Sequence, residues 1–185
     1  LGVIRTNARR METLLTDVSD LSKLRGGTLR ATAKMDTFKN IALRTEQALQ
    51  PLADELGRAL VFDIPQGLPL LNTDGDLLAK ALNKLVENGL RYTRDSGHIT
   101  VSASGAGDQL QVTVADDGIG MSADELAQLG TPYFRSEDEY VRSYKGSGLG
   151  IPVAYGIVAL LGGSVQVVSQ PEAGTTFTLV LPGMS

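Results

Sequence analysis

The sequence predicts a two-layer α/β sandwich (α+β), with a mixed, mostly antiparallel sheet carrying helices on one face, preceded by a long bundle helix. Four stretches place apolar residues at helical spacing, and shorter segments between and after them alternate apolar with polar side chains at strand spacing. The two kinds follow one another in mixed order without a repeating βαβ unit. At 185 residues and 42% hydrophobic content, the chain suits one compact domain with a helical extension.

The extension comes first. Leu1, Ile4, Met11, Leu14, Leu15, Val18, Leu21 and Leu24 recur at threes and fours, with Arg9, Arg10, Glu12, Asp17 and Asp20 assigned to the opposite face. Ile4, Met11 and Val18 keep a seven-residue repeat, as do Leu14 and Leu21, which predicts one helix of a bundle or coiled coil. A helix packed on its own domain is the other reading of the same stripe. Gly26-Gly27 ends it and marks a hinge, dividing the chain into residues 1–27, the bundle helix and hinge, and 28–185, the compact domain. The chain starts in mid-pattern, so a fragment of a longer protein is expected.

Asp36 or Thr37 can cap a helix carrying Phe38, Ile41, Ala42, Leu49, Leu52 and Leu56, which Gly57 stops. Residues 59–64 alternate as a strand. Thr73-Asp74-Gly75-Asp76 then opens a long helix reaching Tyr92, with Leu77, Leu78, Ala81, Leu82, Leu85, Val86 and Leu90 on its buried side. Residues 99–103 and 110–115 read as an antiparallel pair joined through 104–108, and Ser122-Ala123-Asp124-Glu125 is a capping box for a short helix. From 130 to 145 no period holds, which predicts a long loop acting as a lid. A helix from Pro152 and two strands, 164–169 and 175–181, complete the chain.

Net charge is −4 with Lys and Arg scattered, so no nucleic-acid or anionic-membrane surface is indicated. Cysteine is absent, which excludes a disulfide scaffold and a thiolate metal site and leaves a cytoplasmic location as the simplest assumption. No apolar run is long enough to span a bilayer.

Two glycine clusters carry the chemistry. In Asp116-Asp117-Gly118-Ile119-Gly120 an alternating strand delivers an aspartate to a turn whose glycines let the backbone approach a ligand closely. Alone, such a turn is equally well an acidic cap. Gly146-Ser147-Gly148-Leu149-Gly150 runs directly into a helix, where unpaired backbone N–H groups at the positive dipole end suit phosphate oxygens. No Gly-Lys-Ser/Thr follows at Walker spacing, so a different phosphate cradle is required.

With these residues in view the chain resembles the sensor histidine kinases of the GHKL ATPase superfamily (Bergerat fold). Leu85-Val86-Glu87-Asn88-Gly89-Leu90-Arg91-Tyr92-Thr93 is similar to their asparagine box, and residues 116–120 and 146–150 to their two glycine boxes. Pro132-Tyr133-Phe134-Arg135 is similar to their phenylalanine box, Gly174-Thr175-Thr176-Phe177 to their closing strand, and the opening helix to the second helix of their dimerisation and phosphotransfer bundle. The resemblance implies the ATP-binding catalytic domain of a two-component kinase, using ATP and Mg²⁺. It implies that Asp116 accepts from the adenine amine, that Asn88 ligates Mg²⁺, and that Arg91 reaches phosphate. Tyr92 and Thr175 would line the base end, with Gly118, Gly120, Gly146, Gly148 and Gly150 giving close backbone approach and Arg135, Arg142 and Lys145 closing on phosphate; Asn88, Arg91 and Lys145 are the catalytic set. The implied partners are a response-regulator receiver domain and a second copy joined through the bundle helix, in a full-length protein that can be membrane-anchored.

One position departs from the pattern. Four residues before Asn88 the kinases usually carry another Asn and the water-activating members a Glu, whereas this chain has Lys84. Its ammonium is expected to contact phosphate and repel Mg²⁺, to snorkel into solvent, or to mark a degenerate site. Asn83 cannot substitute, lying about 140° around the helix from Asn88. The sole histidine, His98, reads as a strand-end surface residue, so the phosphoacceptor is expected on a bundle helix outside this chain. The alternative function is a nucleotide-poor pseudokinase or regulatory module working through protein contacts.

Overall fold

The computed structural model describes residues 1–131 and 148–183. Helix α1 (Gly2–Arg25) is followed by β1 (Lys34–Asp36), α2 (Phe38–Leu56), β2 (Ala59–Asp63), β3 (Leu71–Thr73) and α3 (Gly75–Tyr92). Then come β4 (His98–Ala106), β5 (Gln109–Asp116), the short α4 (Ala123–Gln128), α5 (Gly150–Leu160), β6 (Ser164–Ser169) and β7 (Thr175–Pro182).

The sheet has the order β2-β4-β5-β7-β6, with β2 parallel to β4 and every other pair antiparallel. Strand periodicity sorts its side chains. Ile99, Val101, Leu110, Val112, Val114, Phe177, Leu179 and Leu181 are buried in one core with Leu78, Leu82, Leu85 and Val86 of α3 and Val153, Ile157 and Val158 of α5. Each such side chain contributes about 1.5–3 kcal/mol by leaving water. The alternate residues, among them Thr100, Ser102, Gln111, Thr113 and Thr178, are half-buried or exposed and small or polar, as expected of a sheet covered on one face only. This is the predicted two-layer sandwich.

Local signals set the boundaries. The Thr37 hydroxyl accepts from the Asn40 amide to start α2, and Gly57 ends it in the left-handed region at φ 65°. The Asp74 carboxylate accepts from the Leu77 amide at the head of α3, and Ser122 and Glu125 form the capping box of α4. The β4–β5 hairpin is longer than expected, because pairing continues to Ala106↔Gln109 and leaves only Gly107, at φ 64°, and Asp108 in the turn. Strands β1 and β3, which form a separate antiparallel ribbon, were not anticipated; three residues each are too short for a readable alternation.

The orientation of α1 corrects the expectation. Asp17 and Asp20, assigned to its outer face, are the buried residues of the helix, while Ile4 and Met11 of the apolar stripe are 70% and 64% exposed. Only Leu21 and Leu24 of that stripe pack on the core. The reason is electrostatic: Lys80 and Lys84 stand on the α3 surface where the last turns of α1 cross it, and they pair with Asp20 and Asp17. The rest of the stripe is turned away from this domain.

Arg58, almost fully buried, donates to the carbonyl of Leu90 in the last turn of α3. A cation there satisfies a helix-end acceptor and complements the dipole, tying the end of α3 to the start of β2. Arg58→Ala should cost about 2–4 kcal/mol in urea unfolding, and an unchanged midpoint would rule out this brace.

Candidate functional site

The site lies where the end of α3 meets two backbone turns. After β5 the chain turns at Gly118, where the amide of Ile119 donates to the carbonyl of Tyr92 at 3.1 Å. A Cβ at Gly118 would stand 2.4 Å from that same carbonyl oxygen. Gly120 has φ 65° and a Cβ there would fall 1.8 Å from the Gln170 carbonyl oxygen; Gly174 has φ 81° and a Cβ would fall 2.0 Å from the Asp116 carbonyl oxygen. The amide of Glu172 donates to the Ile119 carbonyl at 2.7 Å. Three main-chain segments therefore touch with no space for side chains, and glycine is required at each contact.

Asp116 sits at their junction. Its Oδ1 accepts from the amides of Gly118 at 2.9 Å and Thr175 at 3.2 Å. Its Oδ2 accepts no hydrogen bond among the described residues and lies 3.5 Å from where a Cβ on Gly89 would be, against the α3 turn that carries Asn88. Burial pushes the carboxyl up to about 6, against the two amides that lower it; Asp117 adds a smaller upward push. Thr175 is held from the other side. Its hydroxyl meets Ser169 Oγ at 2.8 Å, and Ser169 Oγ also accepts from the Met121 amide at 2.8 Å and donates to the Gly174 carbonyl at 2.9 Å. With the Ser169 proton on Gly174, Thr175 must donate to Ser169, which leaves the Thr175 lone pairs available as acceptors.

Asn88 is half-buried and its amide makes no hydrogen bond among the described residues, whereas Arg91 is engaged, Nε and one terminal nitrogen reaching Glu87 Oε1 at 3.1 and 2.8 Å. Tyr92 contributes its carbonyl to the glycine turn. Gly148, at φ 70°, and Gly150 lead into α5. Lys84 neither snorkels outward nor stands free. Its Nζ contacts Asp17 Oδ1 at 2.5 Å, and its Cδ passes 3.8 Å from where a Cβ on Gly150 would be. Asn83 turns elsewhere, its Oδ1 buried without a hydrogen-bond partner among the described residues. Pro132, Tyr133, Phe134, Arg135, Arg142, Lys145 and Gly146, and most of the expected lid, lie outside the described residues. His98 is exposed at the strand end as expected, its ring 3.1 Å from Asp117.

Sequence reasoning missed Ser169 and Asp17. Ser169 had no signal beyond its place at a strand end, and Asp17 could be recognised only by its partner far along the chain.

Residues 73–184 match the family described as histidine kinase-, DNA gyrase B-, and HSP90-like ATPase. The chain belongs to that family. Curated relatives of this ATPase domain include the sensor histidine kinase ZraS of Escherichia coli, 33% identical over 97% of this chain and 37% of the relative. An uncharacterised sensor-like histidine kinase of Rhizobium meliloti is 28% identical over 98% of the chain and 35% of its own length. The chain thus spans little more than a third of these relatives. Among solved structures, the Acinetobacter baumannii histidine kinase AdeS superposes over the whole chain and 84% of its own, with a TM-score of 0.82 at 19% identity. Full-length ShkA in complex with AMPPNP does so over 38% of its own chain, at 0.84 and 21%. The ATPase fold is shared throughout, and the relatives are sensor histidine kinases whose ATP-binding catalytic domain this chain represents.

A carboxyl with a folded-state value near 6 against an ordinary 3.8 binds protons more readily folded than unfolded. Stability from this group is therefore greatest below the lower value and is lost as pH rises through the upper one. Asp116→Asn should stabilise the ligand-free chain at pH 8 by on the order of 1–3 kcal/mol, the advantage vanishing near pH 4. Thermal unfolding at the two pH values checks this; a less stable Asn variant at pH 8 would count against a penalised carboxylate.

Proposed function

We propose that the chain binds ATP with Mg²⁺ between α3 and the two glycine turns and serves as the catalytic part of a two-component sensor histidine kinase. The observation that carries this reading is the Asp116 carboxyl, half-buried and raised, with one oxygen satisfied by backbone amides and the other accepting from nothing described. An acceptor-only group in that position fits the amino group of adenine, and retaining such a penalised charge is characteristic of a binding site.

The other residues take roles around it. Thr175 offers acceptor lone pairs beside Asp116, oriented by Ser169, and Tyr92 lines the base end. Asn88 supplies an amide oxygen, a hard ligand suited to Mg²⁺, which retains water and phosphate oxygens for its remaining positions. Arg91 must share itself between Glu87 and phosphate. Gly148 and Gly150 lead into α5 at the phosphate end, a role that the motif resemblance extends to Gly146, Arg135 and Lys145. The chemistry that bound ATP supplies is donation of its γ-phosphoryl to an imidazole nitrogen with ADP as leaving group, which requires in-line placement of the nucleophile. α1 contains no histidine and His98 is tied to Asp117, so the acceptor belongs to another bundle helix.

Residues 1–27 are read as that bundle's second helix and hinge and 28–185 as the catalytic domain, working in the cytoplasm. The exposed apolar stripe of α1 fits a second copy of the helix, and a receiver domain is the phosphate's destination. Among the described residues no helix is long and apolar enough to cross a membrane. The pseudokinase alternative drew on Lys84 beside Asn88; with the Lys84 ammonium paired to Asp17, that support is weaker.

Titration calorimetry tests the assignment. Adenosine and ATP affinity should fall about tenfold per pH unit below about pH 6, where Asp116 must lose a proton to accept, and Asp116→Asn should abolish both. Pure pH independence in this range would remove Asp116 from the base contact. Asn88→Ala should weaken ATP binding only when Mg²⁺ is present, and equal losses with and without metal would make Asn88 structural.

A further inference from the structure

The covered face of the sheet changes character at its edge. Val101, Val114, Phe177 and Val167 are register partners across β4, β5, β7 and β6, and such partners share a face. Two residues along each strand the next row is Ile99, Asp116, Thr175 and Ser169, polar at three of its four places. Thr175 lies between the other two polar groups, with Asp116 on one neighbouring strand and Ser169 on the other. Thr175 and Ser169 are 6% and 8% exposed, so their hydrogen bonds must be met from within the protein or by a ligand.

Ser169 Oγ has one proton and two lone pairs, and the described residues use all three. The Met121 amide fills one lone pair at 2.8 Å, and the carbonyl of the buried Gly174 takes the proton at 2.9 Å. The second lone pair is left for Thr175 Oγ1, 2.8 Å away, so Thr175 donates in that bond. Its proton is held toward β6, away from Asp116 on β5. Both groups at the proposed base end, Thr175 Oγ1 and the unfilled Asp116 Oδ2, then present lone pairs only. The Met121 amide belongs to the end of the turn that begins at Asp116, so the turn that supplies one acceptor also fixes the direction of the other.

Resting on the nucleotide reading above, we infer that Ser169 is a positioning residue that sets base selectivity: by holding the Thr175 proton it keeps the site from offering a donor to a purine that carries a carbonyl in place of the amine. Thr175 by itself is ambivalent, since a free hydroxyl turns to accept from an amine or to donate to a carbonyl. With its proton committed, an amino group meets two acceptors while a carbonyl meets two repelling lone-pair groups, which is discrimination by exclusion as well as by fit. Ser169 exerts this from β6, two strands from Asp116, through Thr175.

The test is calorimetry on the whole chain at pH 8, where Asp116 is ionised. Adenosine, purine riboside and inosine carry an amino group, hydrogen and a carbonyl at the same ring position, and the parent should bind them in that order of decreasing affinity. Ser169→Ala should lower the adenosine-over-inosine ratio about tenfold, the size of one hydrogen-bond preference, whereas Ser169→Thr, which keeps the hydroxyl, should hold the parent ratio. On a Thr175→Val background there is no hydroxyl to direct, and Ser169→Ala should leave the ratio where Thr175→Val alone puts it. A merely structural Ser169 would weaken all three nucleosides together and leave their ratios unchanged, which overturns the inference. Should Ser169→Ala fold poorly, Thr175→Val decides, because it removes the second acceptor and leaves the Ser169 bonds to Met121 and Gly174 in place; a parent-like ratio in that variant overturns the inference as well. Inosine bound by the parent as tightly as purine riboside does the same. Each of these results leaves the nucleotide reading standing, and a parent that binds neither adenosine nor ATP overturns both.

Discussion

The carboxyl of Asp116 can be kept where it is only because three stretches of main chain meet around it without side chains between them. The end of α3, the turn after β5 and the turn before β7 are joined by the Ile119, Glu172 and Thr175 amides and by contacts too close for any Cβ at Gly118, Gly120 or Gly174. That closure removes water from the carboxyl and raises its proton affinity, and it also fixes the Ser169–Thr175 hydroxyl pair. The sheet supplies the frame. β5 and β7 deliver Asp116 and Thr175 as register partners, and α3 lies across the strands so that Gly89 faces the carboxyl. The cost of burying a charge is thus distributed over the fold, and the brace of Arg58 on the last turn of α3 belongs to the same arrangement.

Much of this could be read from the sequence. Capping residues and left-handed glycines located α2, α3 and α4, alternation located β5, β6 and β7, and the glycine turn beside Asp116 was recognisable because strand, carboxylate and glycines are contiguous. What could not be read depended on partners distant in the chain. β1 and β3 become strands only by finding each other, and Ser169 matters only because β6 ends beside β7. Asp17 and Asp20 were placed on the wrong face of α1 because a helical wheel treats apolar residues as inward and charged ones as outward. Two lysines on α3 reversed that rule over the last turns.

α1 consequently presents two surfaces of different chemistry. Its apolar stripe is exposed along most of its length, while its acidic positions, with Leu21 and Leu24, hold the end near Gly26. Ionic contacts of this sort are sensitive to salt and to neighbouring charge in a way that the sandwich core is not.

The glycine contacts carry a lesson for tracing ancestry. Since Gly118, Gly120 and Gly174 are demanded by main-chain clearance whether or not anything is bound, lineages that lost catalysis but kept the fold would retain them unchanged. Persistence of the glycine boxes therefore attests to architecture. Drift at Asp116, whose carboxyl is pushed up by desolvation, is the more sensitive record of whether selection for a ligand has been relaxed.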